Sequence, residues 1–231
     1  MIKKIAIMLS IFILSLTLAS CSIGYNLSGR KFVLYEIQLE MKEKYISNEA
    51  EVRDHIERTN VISFEFVNDN ECLKACYYLD KLMSMDRVSG TKEPITILIH
   101  SPGGSIYAGN LLLGKIKYMQ DKLGYTIIGE VGGYACSMGF QVLQQCKVRK
   151  CYSYSRLMFH QPSSATWGDL QSQQDDMEET QYLWETMKKL VVSRTNITDE
   201  MAEEWKRMRK DKYFSVEELT DLNIVDEIID L

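Results

Sequence analysis

From residue 61 onward the chain switches repeatedly between two hydrophobic periods. Val61 to Val67 (VISFEFV) alternates apolar and polar positions, the period of a strand with one buried face. Glu71 to Met85 changes to helical spacing, with Leu73, Cys76, Tyr77, Leu79 and Leu82 as its apolar positions. Pro94 breaks the chain, and Ile95 to His100 (ITILIH) is a short run of branched residues suited to a buried parallel strand. Ser101-Pro102-Gly103-Gly104 predicts a tight turn, followed by a helix to about Lys122. Tyr125 to Val131 predicts the next strand, Gly132-Gly133 a turn, and a helix opens near Ser137. Short strands are expected at Val148 to Tyr154 and Arg156 to His160, then helices at roughly Asp169 to Ser193 and Asp199 to Lys210. Ser215-Val216-Glu217-Glu218 is a capping box, in which Ser and Glu satisfy free backbone donors at a helix start. That helix ends near Asn223, and Ile224 to Ile229 is a last strand. Strand–helix alternation of this kind implies an α/β fold with a mostly parallel sheet covered by helices.

The first sixty residues do not share this pattern and divide into two parts. Residues 1–21 have the layout of a secretory signal: Lys3 and Lys4, an apolar run from Ile5 to Leu18, then Leu18-Ala19-Ser20-Cys21. The last four resemble the bacterial lipoprotein box, whose cysteine takes lipid and becomes the new N-terminus, so Cys21 is the candidate lipidation site and an exported, membrane-associated lipoprotein the expected setting. An uncleaved anchor is an alternative, since no charge occurs between Lys4 and Arg30 and a span needs ~20 apolar residues. A cytoplasmic protein with a mis-assigned start is another. Residues 22–60 form a charged lead-in with a candidate strand at Phe32 to Leu39 and partly helical character from Glu40 to Arg58. Residues 61–231 are the main domain.

Composition narrows the function classes. Of 231 residues, 45% are hydrophobic and 26% charged, as in a soluble globular domain large enough to fold without staples. A nucleic-acid binder usually shows a basic face, and the formal net charge of −5 gives no reason to expect a nucleic-acid partner. None of the six cysteines forms a CxxC pair and the three histidines are scattered, so no metal site is expected. Cys72 and Cys76, at i and i+4, read as small buried hydrophobes on one helix face.

The candidate chemistry gathers at the two glycine turns. Each follows an apolar strand and precedes a helix, and the carboxyl ends of parallel strands form the binding crevice of such sheets. Gly103-Gly104 and the stretch Gly133 to Gly139 are therefore expected side by side at one rim. Glycines let backbone N–H groups point outward, and a serine just inside a helix start lies beside free N–H groups and the positive end of the helix dipole. Such donors can stabilise an oxyanion that develops in acyl transfer.

Four segments carry a family resemblance. Gly133-Tyr-Ala-Cys-Ser-Met-Gly139 resembles the active-serine segment of the Clp protease proteolytic subunits, and Ser101-Pro-Gly-Gly104 their glycine-rich loop. Arg156-Leu-Met-Phe-His-Gln-Pro162 resembles the histidine segment, and Asp211-Lys-Tyr-Phe-Ser215, followed by Glu217-Glu218 and Asn223-Ile-Val-Asp226, the aspartate segment. A lone serine before a helix is ordinarily a cap, and a lone loop aspartate is ordinarily just solvated; four motifs in the family's order carry the reading.

The resemblance implies the superfold shared by Clp proteases and crotonases: repeated ββα and βαβ units, a mostly parallel sheet and a protruding long helix. It implies a serine endopeptidase with Ser137 as nucleophile, His160 as general base and Asp211 orienting the imidazole. The backbone N–H groups of Gly104 and Met138, with Gly103 beside them, match the oxyanion and substrate-binding positions. It further implies homo-oligomeric, heptamer-based rings enclosing a chamber, peptide or unfolded-protein substrates, an AAA+ unfoldase partner, and no cofactor in this chain, ATP entering only through that partner. Three departures bear on this. The lead-in does not match the family's docking segment, Ser163 to Glu179 is richer in Gln and Asp, and Lys210 replaces an arginine. Cys136 replaces a small alanine and reads as packing, and His100 as a strand-end residue. Two other readings stand beside the peptidase: a crotonase-type acyl-CoA enzyme, which shares the superfold, and a non-catalytic ring subunit.

Overall fold

The computed structural model describes residues 61–230. The signal-like segment 1–21 with Cys21, and the lead-in 22–60 with its expected strand and helix, lie outside the described residues. In chain order the elements are β1 (Val61–Phe64), α1 (Asp69–Ser89), β2 (Ile95–Ser101), α2 (Ile106–Asp121), β3 (Ile127–Cys136), α3 (Met138–Gln145), β4 (Val148–Tyr152), β5 (Arg156–Phe159), α4 (Leu170–Arg194), α5 (Asp199–Arg207), β6 (Lys212–Tyr213), α6 (Val216–Asp221) and β7 (Glu227–Ile229).

The strands form one sheet in the order β1-β2-β3-β4-β7, with every neighbouring pair parallel. The sheet forks at β3. Residues Ile128 to Val131 pair with β4, and Tyr134 to Cys136 pair with β5. β5 in turn pairs antiparallel with the short β6. This is a mixed α/β fold on a mostly parallel sheet, as the alternation of strands and helices implies.

Gly132-Gly133 is not the expected turn, because β3 runs through it to Cys136. The pair sits where β3 changes partner and where its register with β2 slips, from Ile99↔Val131 to Ser101↔Ala135. A side chain at Gly133 would meet the His100 ring at 2.4 Å, so here glycine permits close strand packing at a bulge, not chain reversal.

Helix α1 begins where Asn68 Oδ1 accepts the Glu71 N–H and ends at Gly90, whose φ of 77° lets its N–H reach Asp86 O. Its buried face is Cys72, Ala75, Leu79 and Leu82. Leu73 and Tyr77, expected to point inward, are each 58% exposed, because the face that meets the sheet is set by the 72-75-79-82 row. Helix α3 is central, with Met138 to Gln144 all buried. Helix α4 is exposed along Leu170 to Glu179 and buries Leu183, Trp184, Met187, Lys188 and Val191 further on. The apolar stripe of this long helix therefore serves the chain's own core at Leu183, Trp184 and Met187, while Tyr182 faces solvent at 65% exposure. Among the described residues no helix is long and apolar enough to cross a membrane.

Arg149 on β4 ties the last segment to the sheet. It is 2% exposed and donates from Nη2 to Asp226 Oδ1 at 2.6 Å, and from Nη1 to Gln144 Oε1 at 2.9 Å, to Arg194 O at 2.7 Å and to Asn223 O at 3.0 Å. A buried cation with this many acceptors is satisfied, which burial requires.

Candidate active site

Strand β3 delivers Ser137 to the rim of the sheet. Its backbone stands at φ 54°, ψ −119°, an uncommon conformation for a residue with a side chain. Such strain costs of order 1–3 kcal/mol and persists only when the surroundings enforce it. Here the Ser137 N–H donates to Met158 O at 2.9 Å, and its carbonyl accepts the Gln141 N–H at 3.2 Å. The hydroxyl makes no capping bond to the helix it precedes. It turns instead to His160.

His160 follows directly on β5, whose pairing with β3 (Cys136↔Met158) sets the two residues side by side. His160 Nε2 lies 2.8 Å from Ser137 Oγ. On the other side, β6 pairs with β5 (Phe159↔Lys212), which brings Asp211 to the histidine's second nitrogen. His160 Nδ1 lies 3.1 Å from Asp211 Oδ1. The three expected catalytic side chains thus form one continuous chain of hydrogen bonds. In the tautomer that carries its proton on Nδ1 and donates it to Asp211, Nε2 is the free base facing the serine. Asp211 is 59% exposed at its side chain.

The glycine loop closes over the serine as the motif order implied. A Cβ on Gly103 would fall 2.7 Å from Ser137 Cβ, 2.8 Å from Cys136 O and 3.1 Å from Met138 N. Only a residue without a side chain leaves the Met138 N–H uncovered, and that N–H is among the free donors of the first turn of α3. The loop is pinned from behind: Val67 N–H donates to Gly103 O at 3.0 Å and Ser105 N–H to Val67 O at 2.8 Å. Gly104, at φ 145°, would place a Cβ 2.2 Å from Val67 O. Ser101 Oγ, fully buried, accepts the Gly103 N–H at 3.1 Å. Gly103, Ser137 and Met138 therefore meet at one spot, and Gly104 next to them is held against Val67.

A cluster of aromatic rings holds the three segments together. Phe140 on α3 stacks on Phe214 and lies 5.8 Å from Phe159, while Phe159 stacks on Trp184 of α4 at 5.5 Å. The signal for these rings was their apolar character close to each site residue, which periodicity alone could not assign to a shared cluster. Cys136 is 8% exposed and packs beside the serine. Burial pushes its thiol pKa up; Arg156 pulls it down and Asp211 adds to the rise. A thiol held protonated is a poor nucleophile, which fits packing. His100 stands edge-on to the Tyr134 ring at 4.2 Å and is exposed. No group of three or more His, Cys, Asp or Glu among the described residues is placed to hold a metal.

Comparison with known proteins gives one consistent answer. The family model described as Clp protease matches residues 47–231. The chain is 29% identical over 178 residues to the ATP-dependent Clp protease proteolytic subunit 3 of Rhodococcus jostii (strain RHA1), covering 75% of this chain and 81% of that protein. It is 30% identical over 196 residues to the ATP-dependent Clp protease proteolytic subunit 1 of Chlamydia abortus (strain DSM 27085 / S26/3), covering 78% and 94%. With subunit 1 of Salinibacter ruber (strain DSM 13855 / M31) it shares 28% identity over 142 residues, covering 61% and 58%.

Proposed function

The chain belongs to the Clp protease family, and from that premise we propose that it is a serine endopeptidase in which Ser137, His160 and Asp211 act as one catalytic unit. The observation that carries the assignment is the 2.8 Å contact between Ser137 Oγ and His160 Nε2, continued to Asp211.

The chemistry follows from that geometry. Ser137 Oγ attacks the carbonyl carbon of the scissile peptide bond while its proton passes to His160 Nε2. The carbonyl oxygen becomes an oxyanion, and the N–H groups of Gly104 and Met138 donate to it. Asp211 accepts from His160 Nδ1–H and stabilises the imidazolium. Collapse of the intermediate breaks the C–N bond, and the amine leaves with the proton from His160. Water then attacks the serine ester with His160 again as base, which releases the acid product and restores Ser137. An acyl-CoA hydration site has no use for this serine–histidine pair, and a scaffold has no need of it.

The substrate class is peptides or unfolded protein. The assembly we propose is a homo-oligomeric ring of the family type with the sites facing a chamber. The exposed first turns of α4, with Leu170 and Met177 at 73% and 69% exposure, and Trp167 just before the helix at 81%, offer apolar surface to another copy. Membrane attachment through Cys21 belongs to the same proposal, and an exported form would work without an ATP-driven unfoldase, on chains that diffuse in. The active-site reading is tested with Ser137→Ala and His160→Ala. Each removes nearly all cleavage of a fluorogenic peptide, and the double variant is no worse than either. A Ser137→Ala protein that cleaves at the parental rate contradicts it. Light scattering that finds a fully active monomer contradicts the chamber, and a cytosolic product that still begins at Met1 contradicts lipid attachment.

A further inference from the structure

We propose that Lys212 is a positioning residue for Asp211 and, through it, for His160; this rests on the serine-peptidase reading above. Asp211 has little to hold it. Its side chain is 59% exposed, and the strand that follows, β6, is only two residues long. A strand that short does not fix its own position. Beside the ladder to β5, the Phe214 N–H that donates to Leu157 O at 3.1 Å and the stacking of Phe214 on Phe140, the next side chain adds a fixing point.

Lys212 is 14% exposed at its side chain and sits opposite Phe159 in the ladder, one step from His160. Strand alternation sends it to the face opposite Asp211. There its ammonium lies 5.7 Å from the Trp205 ring centre and 5.5 Å from that of Phe214, and it forms a close ion pair with Glu218 Oε1. The other oxygen of the same carboxylate, Oε2, accepts the Ser215 N–H at 2.9 Å, and Ser215 Oγ accepts the Glu218 N–H at 3.3 Å. One carboxylate thus clamps both ends of the segment from Lys212 to Ser215. On the near side, Arg209 turns the chain at φ 51° and the Lys210 N–H donates to Trp205 O at 3.1 Å. Asp211 is suspended between two points that both return to Trp205. Losing the ammonium frees one of them without touching the triad itself.

The test uses the full chain and a short peptidyl aminomethylcoumarin amide. Lys212→Met keeps the apolar stem on the two rings and removes the charge. Glu218→Gln keeps an acceptor for the Ser215 N–H and removes the partner charge. Each is expected to lower kcat roughly tenfold, as a small misplacement of a catalytic group does, with KM within about twofold. Lys212→Arg should restore most of the rate, since a guanidinium also stacks on aromatic faces and pairs with a carboxylate. In an Asp211→Asn background neither change should cost more than about twofold further, because the group they position is already lost. An equal loss in both backgrounds, or parental kcat in both single variants, overturns the positioning role. Parental kcat in Asp211→Asn alone instead overturns the triad reading and takes this role with it.

Discussion

The ring of Phe140 stacks on that of Phe214, with centroids 5.6 Å apart and planes 18° from parallel. Phe140 follows Ser137 by three residues and Phe214 follows Asp211 by three, and Phe159 immediately precedes His160. The three segments that carry Ser137, His160 and Asp211 therefore share one aromatic cluster, and the buried packing that stabilises the fold also sets the geometry of the candidate site. Truncating Phe214 to Ala should cost about 3–5 kcal/mol of stability, the usual range for a buried aromatic. Phe214→Leu should cost far less stability yet still lower kcat, since the new side chain cannot stack. Denaturation midpoints beside peptide-cleavage rates separate the two effects. A Phe214→Leu protein with parental kcat would show that the cluster serves stability alone.

Gly103→Ala should abolish cleavage while leaving the chain folded. The added methyl would fall 2.7 Å from Ser137 Cβ and beside Met138 N, at a backbone φ of 103°. The Gly–Ser contact must then open, and the oxyanion donors move from where charge develops. Loss of about one such donor alone costs on the order of 10²–10³ in kcat. Kinetics and circular dichroism on the same preparation check this.

Acid should act on the Arg149–Asp226 pair. Burial by itself would raise the Asp226 pKa, but hydrogen bonds from the Arg149 side chain and backbone, with its charge, outweigh burial and hold the carboxyl below its ordinary value. A depressed folded pKa means that the stabilisation is fully present above the unfolded value, about 3.9 for Asp, and is lost as pH falls through the folded value. Asp226→Asn should therefore be less stable than the parent near neutrality and show a shallower further loss on acidification. Urea titrations from about pH 6 down to about pH 3 compare the slopes, and identical slopes would contradict the assignment.

Much of this was legible in the sequence because the chemistry sits in short contiguous motifs. Ser137, His160 and the Gly103-Gly104 loop each follow a strand of the parallel sheet, and parallel-sheet logic brings those ends together; Asp211 instead precedes β6, which reaches the site by pairing antiparallel with β5. Element edges were less legible. Gly132-Gly133 carries the same residues as a turn but lies within β3, since only the neighbouring strands decide whether a glycine pair bends or bulges. Leu73 and Tyr77 fit a helical period yet face outward, because period fixes a stripe and not which stripe meets the sheet. The clamp formed by Lys212 and Glu218 was hidden for another reason: its spacing matches no local rule, and it exists only because a tight turn folds the segment back on Trp205.

The central claim is that Ser137 is the nucleophile, and labelling tests it most directly. A fluorophosphonate probe reacts with a serine only when a base activates it, and the modified residue can be located by mass spectrometry of the digested protein. The account predicts stoichiometric labelling at Ser137, loss of peptide cleavage in step with it, no labelling in His160→Ala, and activity that survives iodoacetamide because the buried Cys136 thiol stays protonated. Cleavage that persists after full labelling, or a label found on another residue while Ser137 stays free, would contradict it.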